Sequence, residues 1–303
     1  MKADIIGVPL SLGANKRGVD MGPSAIRYAD LELVLGNMGI ECRDLGNIEI
    51  PASGNIYIKN DTKLKYLDEI NKVNQKLYEK VRNSVLDGCM PLVLGGDHSI
   101  AVGTILGVQS VFKNIGLIWF DAHPDFNTEN TTPSGNLHGM PLAACTGSGA
   151  SGMTVFKHKE IQFINPKNVV IIGVRDVDDK EEENVLNSGI TVFTMEDIDL
   201  YGMRDVMTRA VEIATNGTNG LHLSFDMDVI NPQEAPGVGT PVEGGLTYRE
   251  AHLAVEMISD SGKLSSMEFV EVNTLLDNKN QTANLAVSLI ASALGKKILN
   301  KKH

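Results

Sequence analysis

Apolar residues are distributed along this chain in two rhythms. Short, nearly continuous hydrophobic runs occupy residues 3–10, 91–94, 115–120, 169–174, 190–194, 221–225 and 264–272, with a shorter candidate at 41–45. Runs of that length and density suit strands buried on both faces. Between them the period changes. Leu64, Leu67, Ile70, Val73, Leu77 and Val81 recur at spacings of three and four across 62–86, predicting an amphipathic helix whose Lys and Glu residues face water. Further helices are predicted over 203–214, 247–258 and 280–299, from Ile100 onward, from the acidic start at 179–183, and from Gly22-Pro23-Ser24 to a stop near Gly36–Gly39. About eight strands alternating with helices predict an α/β fold, a mostly parallel sheet covered on both faces in three layers. Each parallel crossover needs a connection long enough to return to the same edge. No repeat, low-complexity tract or linker interrupts the pattern, so one domain over residues 1–303 is expected.

Composition narrows the partners. Acids outnumber bases 38 to 27, a net charge of −11 that disfavours nucleic acid and anionic membranes but not a cationic ligand. Cys42, Cys89 and Cys145 are three in number and lack CxxC spacing, which indicates neither a disulfide framework nor a zinc ribbon. The initial apolar run is too short for a signal peptide and no later run has membrane length, so a soluble cytoplasmic protein is expected.

The polar residues that change the picture stand just after strands. Residues 91–94 run into Gly95-Gly96-Asp97-His98-Ser99, where the double glycine permits a sharp turn. Residues 115–120 open into Asp121, His123 and Asp125, and 221–225 into Asp226 and Asp228. Open α/β sheets bind ligands at such strand ends. Together His98, Asp121, His123, Asp125, Asp226 and Asp228 offer two imidazoles and four carboxylates, without a thiolate. Four carboxylates gathered without a cation would repel one another, so positive charge is expected among them. Two divalent ions are the natural count; the oxygen-rich set suits manganese better than a structural zinc, with Zn, Co or Fe left open. Two ions ~3.5–4 Å apart would deprotonate a shared water, which is hydrolase chemistry.

GGDHSI (95–100), DAHPDFN (121–127), SGNLHGMP (134–141), SFDMD (224–228) and EVN (271–273), in that order, resemble the ureohydrolase family, most closely its arginase branch. The similarity also takes in GVDMGPSAIR and GGLTYREA, and so covers nearly the whole chain. The resemblance implies hydrolysis of L-arginine to L-ornithine and urea by a hydroxide bridging two Mn²⁺ ions. His98 and Asp125 would serve one ion, His123 and Asp228 the other, with Asp121 and Asp226 bridging. Asp125 would also accept a hydrogen bond from the hydroxide, His138 would relay a proton, and Glu271 would hold the guanidinium. Asn127, Ser134 and Asn136 would receive the α-carboxylate and Asp178 the α-amino group, helped through water by Glu181; Thr240 would orient Glu271. Asp97 and Ser99 match the motif without a ligand position and are read as structural, as is Glu268, which a regular strand would place on the face opposite Glu271.

Two positions depart from the pattern: Asn231 stands where an aspartate is expected, and Met140 follows His138-Gly139. The family's tendency to form trimers or hexamers implies a homo-oligomer, and Arg249-Glu250 resembles an intersubunit ion-pair site, although a helix start explains that pair equally well. The rival readings are an agmatinase or formimidoylglutamase of the same family and, more remotely, a non-catalytic metal-binding scaffold. Agmatine has no α-carboxylate, so Ser134 and Asn127 discriminate within the family.

Overall fold

The computed structural model describes residues 1–50, 64–157 and 160–299. Its centre is one eight-stranded, entirely parallel sheet in the order β2-β1-β3-β8-β7-β4-β5-β6. In chain order the elements are β1 (Lys2–Val8), α1 (Gly22–Tyr28), α2 (Leu31–Asn37), β2 (Glu41–Asn47), α3 (Leu67–Leu86), β3 (Met90–Gly95), α4 (Ala101–Phe112), β4 (Gly116–Phe120) and α5 (Pro141–Thr146). They continue with β5 (Val169–Val174), α6 (Asp179–Asn187), β6 (Thr191–Thr194), α7 (Met195–Tyr201), α8 (Met203–Thr215), β7 (Leu221–Asp226), α9 (Tyr248–Asp260), β8 (Leu264–Val270) and α10 (Gln281–Ala293).

Alternation within each strand divides the core in two. Ile5, Ile118 and Phe120 join one apolar layer with residues of α1, α2 and α7 to α10, while Ile6, Leu117 and Trp119 join the other with α3 to α6. The result is the expected helix, sheet, helix sandwich. Edge strand β2 is largely polar, and Arg43 ties it to buried Asp4 through two 2.8 Å hydrogen bonds.

Several details differ from the sequence pattern. The first predicted helix breaks in two at Asp30, which adopts a left-handed conformation (φ 61°) that aspartate tolerates better than most residues. Helix α3 begins at Leu67, while residues 62–63 of the predicted span lie outside the described residues. Strand β8 ends at Val270, not residue 272, and α10 ends at Ala293. Helices α5 and α7 were not anticipated, although Thr194 and Asp197 form a reciprocal capping box legible as T-x-x-D.

Candidate metal centre and substrate cleft

The carboxyl ends of β3, β4, β7 and β8 converge on one point, and the backbone there is tightly constrained. Gly96 donates to Val8 O and Asp97 to Leu10 O, both at 2.8 Å, zipping the turn after β3 against the chain leaving β1. A Cβ on Gly96 would sit 1.9 Å from Leu10 O, so only glycine fits. Asp97 is fully buried; it accepts from Gly13 N, Ser99 N and Ser99 Oγ and caps the short 3-10 turn that aims His98. Burial and the charge of Glu271 raise the Asp97 carboxyl above its usual range.

His98 Nδ1 has no hydrogen-bond partner, yet it lies 3.2 Å from Asp121 Oδ2 and 3.1 Å from both Asp125 Oδ2 and Asp226 Oδ2. His123 Nδ1 lies 3.3 Å from Asp121 Oδ1 and 3.2 Å from Asp228 Oδ2. Two groups of candidate ligands follow, His98-Asp121-Asp226 and Asp121-His123-Asp228, with Asp121 common to both. The electrostatics call for positive charge among the carboxylates. Burial, then repulsion from Asp121, pushes Asp125 up to about 7, and burial with Asp228 and Asp121 pushes Asp226 well up too. Burial opposes a charged imidazole, but the surrounding carboxylates outweigh it and hold His98 and His123 far above the ordinary histidine range. Asp121 is kept below its usual range, against burial, by His123 and His98. A buried, unpaired imidazole nitrogen among three carboxylate oxygens is a donor set that fits divalent cations.

The ligands are held from behind. Trp119 stacks on His98 (centroids 4.0 Å apart, 11° between planes) and donates Nε1–H to Asp121 Oδ2 at 3.0 Å. His98 Nε2 meets Ser224 Oγ at 2.8 Å, and Ser224 in turn donates to Glu268 Oε1 at 2.9 Å. Glu268 is fully buried, and His222 stands 3.6 Å from it. Asp228 accepts from Ala122 N and from Thr240 Oγ1. Thr240 therefore serves a candidate ligand, not Glu271 as expected, because its hydroxyl is spent 2.9 Å from Asp228 Oδ2.

Glu271 follows β8 in a left-handed conformation, φ 63°. This turn lets both glutamates address the centre, whereas a regular strand would have separated them. Glu271 Oε1 accepts from His98 N at 2.9 Å and lies 3.2 Å from His138 Nδ1, while the buried Oε2 is unpartnered. Burial disfavours a charged His138, but Glu271 overrides it and raises the imidazole to about 9.

Above the candidate ligands opens a cleft of about 130 Å³, lined by His123, Asp125, Asp226 and Asp228 at its base. Asn127, Ser134, Asn136, His138, Asp178, Glu181 and Thr240 also line it, so the cleft brings together most of the residues singled out from sequence. Glu271 is 1% exposed and sits behind His138; Glu268 and Ser224 support His98 from deeper in the sheet. Asp178 caps α6 and accepts from Asn127 Nδ2 at 2.8 Å, which leaves Asn127 Oδ1 buried and unpartnered. Asn127 Nδ2, expected as a donor to the substrate, is thus taken by Asp178. Glu181 accepts from Phe126 N at 2.6 Å and from Asp178 N at 3.4 Å, joining two loops, and burial raises its carboxyl to about 8.

Comparison with known proteins gives the arrangement a context. The model of the "Arginase family" matches residues 1–295. The chain belongs to the arginase family. It is 49% identical over 295 residues to an arginase of Bacillus subtilis (strain 168), covering 97% of this chain and 98% of that one. It is 50% identical over 299 residues to an arginase of Brevibacillus brevis, covering 97% and 98%. The native structure of arginase from Bacillus caldovelox superposes with a TM-score of 0.94 at 47% identity, covering 99% of this chain and 100% of that chain.

Further residues shape this arginase-family site, and two of them, Asp176 and Arg175, carry no sequence signal strong enough to single out. Asp176 lines the cleft 3.7 Å from His123 Nε2. Arg175 donates to the carbonyls of Gly173, Asp228, Val229, Val242 and Glu243, binding three loops into one wall. Asn231 is itself a loop anchor: its Oδ1 accepts from Gln233 N and its N–H donates to Leu246 O. Glu250 completes a capping box with Thr247, so the helix-start explanation accounts for it.

Proposed function

We propose that this protein is an arginase, hydrolysing L-arginine to L-ornithine and urea, with two Mn²⁺ ions held by His98, Asp121, His123, Asp125, Asp226 and Asp228. The observation that carries the substrate is the polarity of the cleft mouth. The cleft lining divides into Ser134 and Asn136, with hydroxyl and amide groups, and the Asp178 carboxylate. A zwitterionic α-amino acid end matches that division, carboxylate to the donors and ammonium to the acceptors. Agmatine, lacking the carboxylate, uses only half of it.

When bound, the two ions supply Lewis-acid activation of water and stabilisation of developing negative charge. The chain's own groups do the rest. Asp125, on the cleft floor, accepts a hydrogen bond from the attacking water. The unpartnered Oε2 of Glu271 takes the guanidinium of a substrate that reaches the floor. With Nδ1 against Glu271, His138 has Nε2 left to pass a proton to the leaving amine. Glu181 holds the Phe126 and Asp178 loops at a fixed separation.

We infer further that the chain acts as one domain and assembles as a homo-oligomer, trimer or hexamer, in the cytoplasm. Among the described residues no helix is long and apolar enough to cross a membrane. Urea release from arginine and from agmatine, with manganese present, tests the activity. Arginine is expected to be strongly preferred, and Ser134→Ala to raise KM for arginine with little change in kcat. Preference for agmatine would overturn the reading, and sedimentation tests the assembly.

A further inference from the structure

Lys65, in the turn that leads into α3, is attached twice to the substrate loop and once to Asn15. Its backbone N–H donates to Gly135 O at 3.0 Å, and its ammonium donates to Asn136 Oδ1 at 3.0 Å and Asn15 Oδ1 at 3.3 Å. By sequence it reads as one of many solvated lysines; in the fold it borders both the cleft loop and a neighbouring hollow lined by Asn15 and Arg17.

The chemistry of the contact fixes more than position. An ammonium has donors only, so it can pair with an amide oxygen and not with an amide nitrogen. Lys65 therefore selects one of the two orientations open to the Asn136 carboxamide, oxygen outward and Nδ2 toward the cleft. Among the described residues Asn136 Nδ2 has no protein acceptor, and Asn136 is only 7% exposed. At Asn127 the opposite selection holds: the Asp178 carboxylate takes Nδ2 and leaves the buried oxygen without a partner. Two cleft-lining asparagines are thus each oriented by a charged neighbour, in opposite senses. Asn136 has a cation beside its oxygen, Asn127 an anion beside its nitrogen.

We propose that Lys65 is a specificity-determining residue, which positions Asn136 as a donor and adds positive charge beside it, so that the cleft selects ligands with an α-carboxylate. The inference rests on the reading of this cleft as an arginine site. The residue acts through Asn136 and touches no reacting atom, so its removal affects substrate affinity, not turnover. Lys65→Met keeps the stem and deletes the donors; Lys65→Arg restores a donor-only cation.

The test uses the full manganese-loaded chain, with L-arginine and L-argininamide as substrates. For Lys65→Met, KM for arginine is expected to rise about tenfold with kcat within twofold. KM for the amide, which has no carboxylate, is expected to stay in place, and Lys65→Arg to recover most of the loss. An equal rise for both substrates, or no rise, overturns the proposal. Calorimetric binding of L-ornithine against putrescine decides the same question without turnover. Loss of the ornithine preference in Lys65→Met supports the proposal and its retention overturns it. Wild-type protein that released no urea would refute the arginase reading, while the calorimetry still decided the part played by Lys65.

Discussion

Ser224→Ala isolates how the fold prepares His98. Glu268 is buried; burial works against its charge, but His222 and His98 keep its carboxyl below the usual range, so it acts as an acceptor. Ser224, 2.9 Å away, gives its one proton to that carboxylate and can then only accept from His98 Nε2 at 2.8 Å. The proton of the imidazole is thereby assigned to Nε2, and Nδ1 keeps its lone pair for a cation. Alanine removes the acceptor and leaves a buried Nε2–H unpaired, at a cost of about 1–3 kcal/mol in the competent tautomer. Manganese affinity should fall roughly 10–100-fold, the usual range for losing a group that orients a metal-binding histidine. Glu268→Gln sharpens the test, since its amide can donate to Ser224 and reverse the chain of hydrogen bonds. Protein stripped with chelator would be titrated with Mn²⁺ by calorimetry, beside the thermal midpoint of the stripped variants. Unchanged manganese affinity in both variants would refute the reasoning. A loss of apo stability without a loss of affinity would refute it too, by showing the chain of hydrogen bonds to be packing alone.

Other perturbations read other parts of the site. Asp121 is shared by both ligand groups, so Asp121→Asn should leave less than one manganese per chain by elemental analysis, whereas Asp228→Asn should retain one. Glu181, near 4.5 when unfolded and about 8 when folded, binds a proton in the native state that the unfolded chain has released. Its contribution in metal-stripped protein is therefore present below pH 4.5 and lost as pH rises toward 8; urea midpoints should show Glu181→Gln gaining on wild type across that window, and a constant difference would contradict the sign. Gly96→Ala drives a Cβ into the Leu10 carbonyl and should destabilise by about 1–3 kcal/mol or more in urea unfolding, with manganese affinity falling as His98 is displaced. Thr240→Val removes the donor to Asp228 and should weaken manganese binding while leaving the arginine-to-argininamide preference unchanged.

The strands and the gathering of ligand types at their ends were legible because both follow from local pattern: buried parallel strands are apolar runs, and this sheet carries its polar residues just past them. Side-chain polarity at the cleft was not legible. Asn127 has the same formula whichever way its amide is turned, and only the approach of Asp178, 51 residues away, decides that its nitrogen is taken. Thr240 went to Asp228 for a similar reason, its neighbour being set by the path of a Pro/Gly-rich loop. Lys65 and Arg175 act on backbone carbonyls and amides remote in sequence, contacts that leave no spacing rule to read. The break at Asp30 and the short α5 and α7 lie below the length at which helical periodicity becomes distinct.

The left-handed residue at the end of β8 bears on any attempt to rebuild this centre in another protein. A straight strand can offer its ligating face to a cavity every second position, and a designer would naturally copy that spacing. Here Glu268 and Glu271 stand three apart and grip the same histidine, one through Ser224 and the ring, the other through the main-chain N–H. Regularising the backbone at 271 would release the main-chain grip while leaving every side chain of the motif in the sequence. Transplanting the residues without that one inverted dihedral would copy the inventory of the site and lose its geometry, so a graft needs the turn, held by Gly96 O accepting from Glu271 N, as much as the ligands themselves.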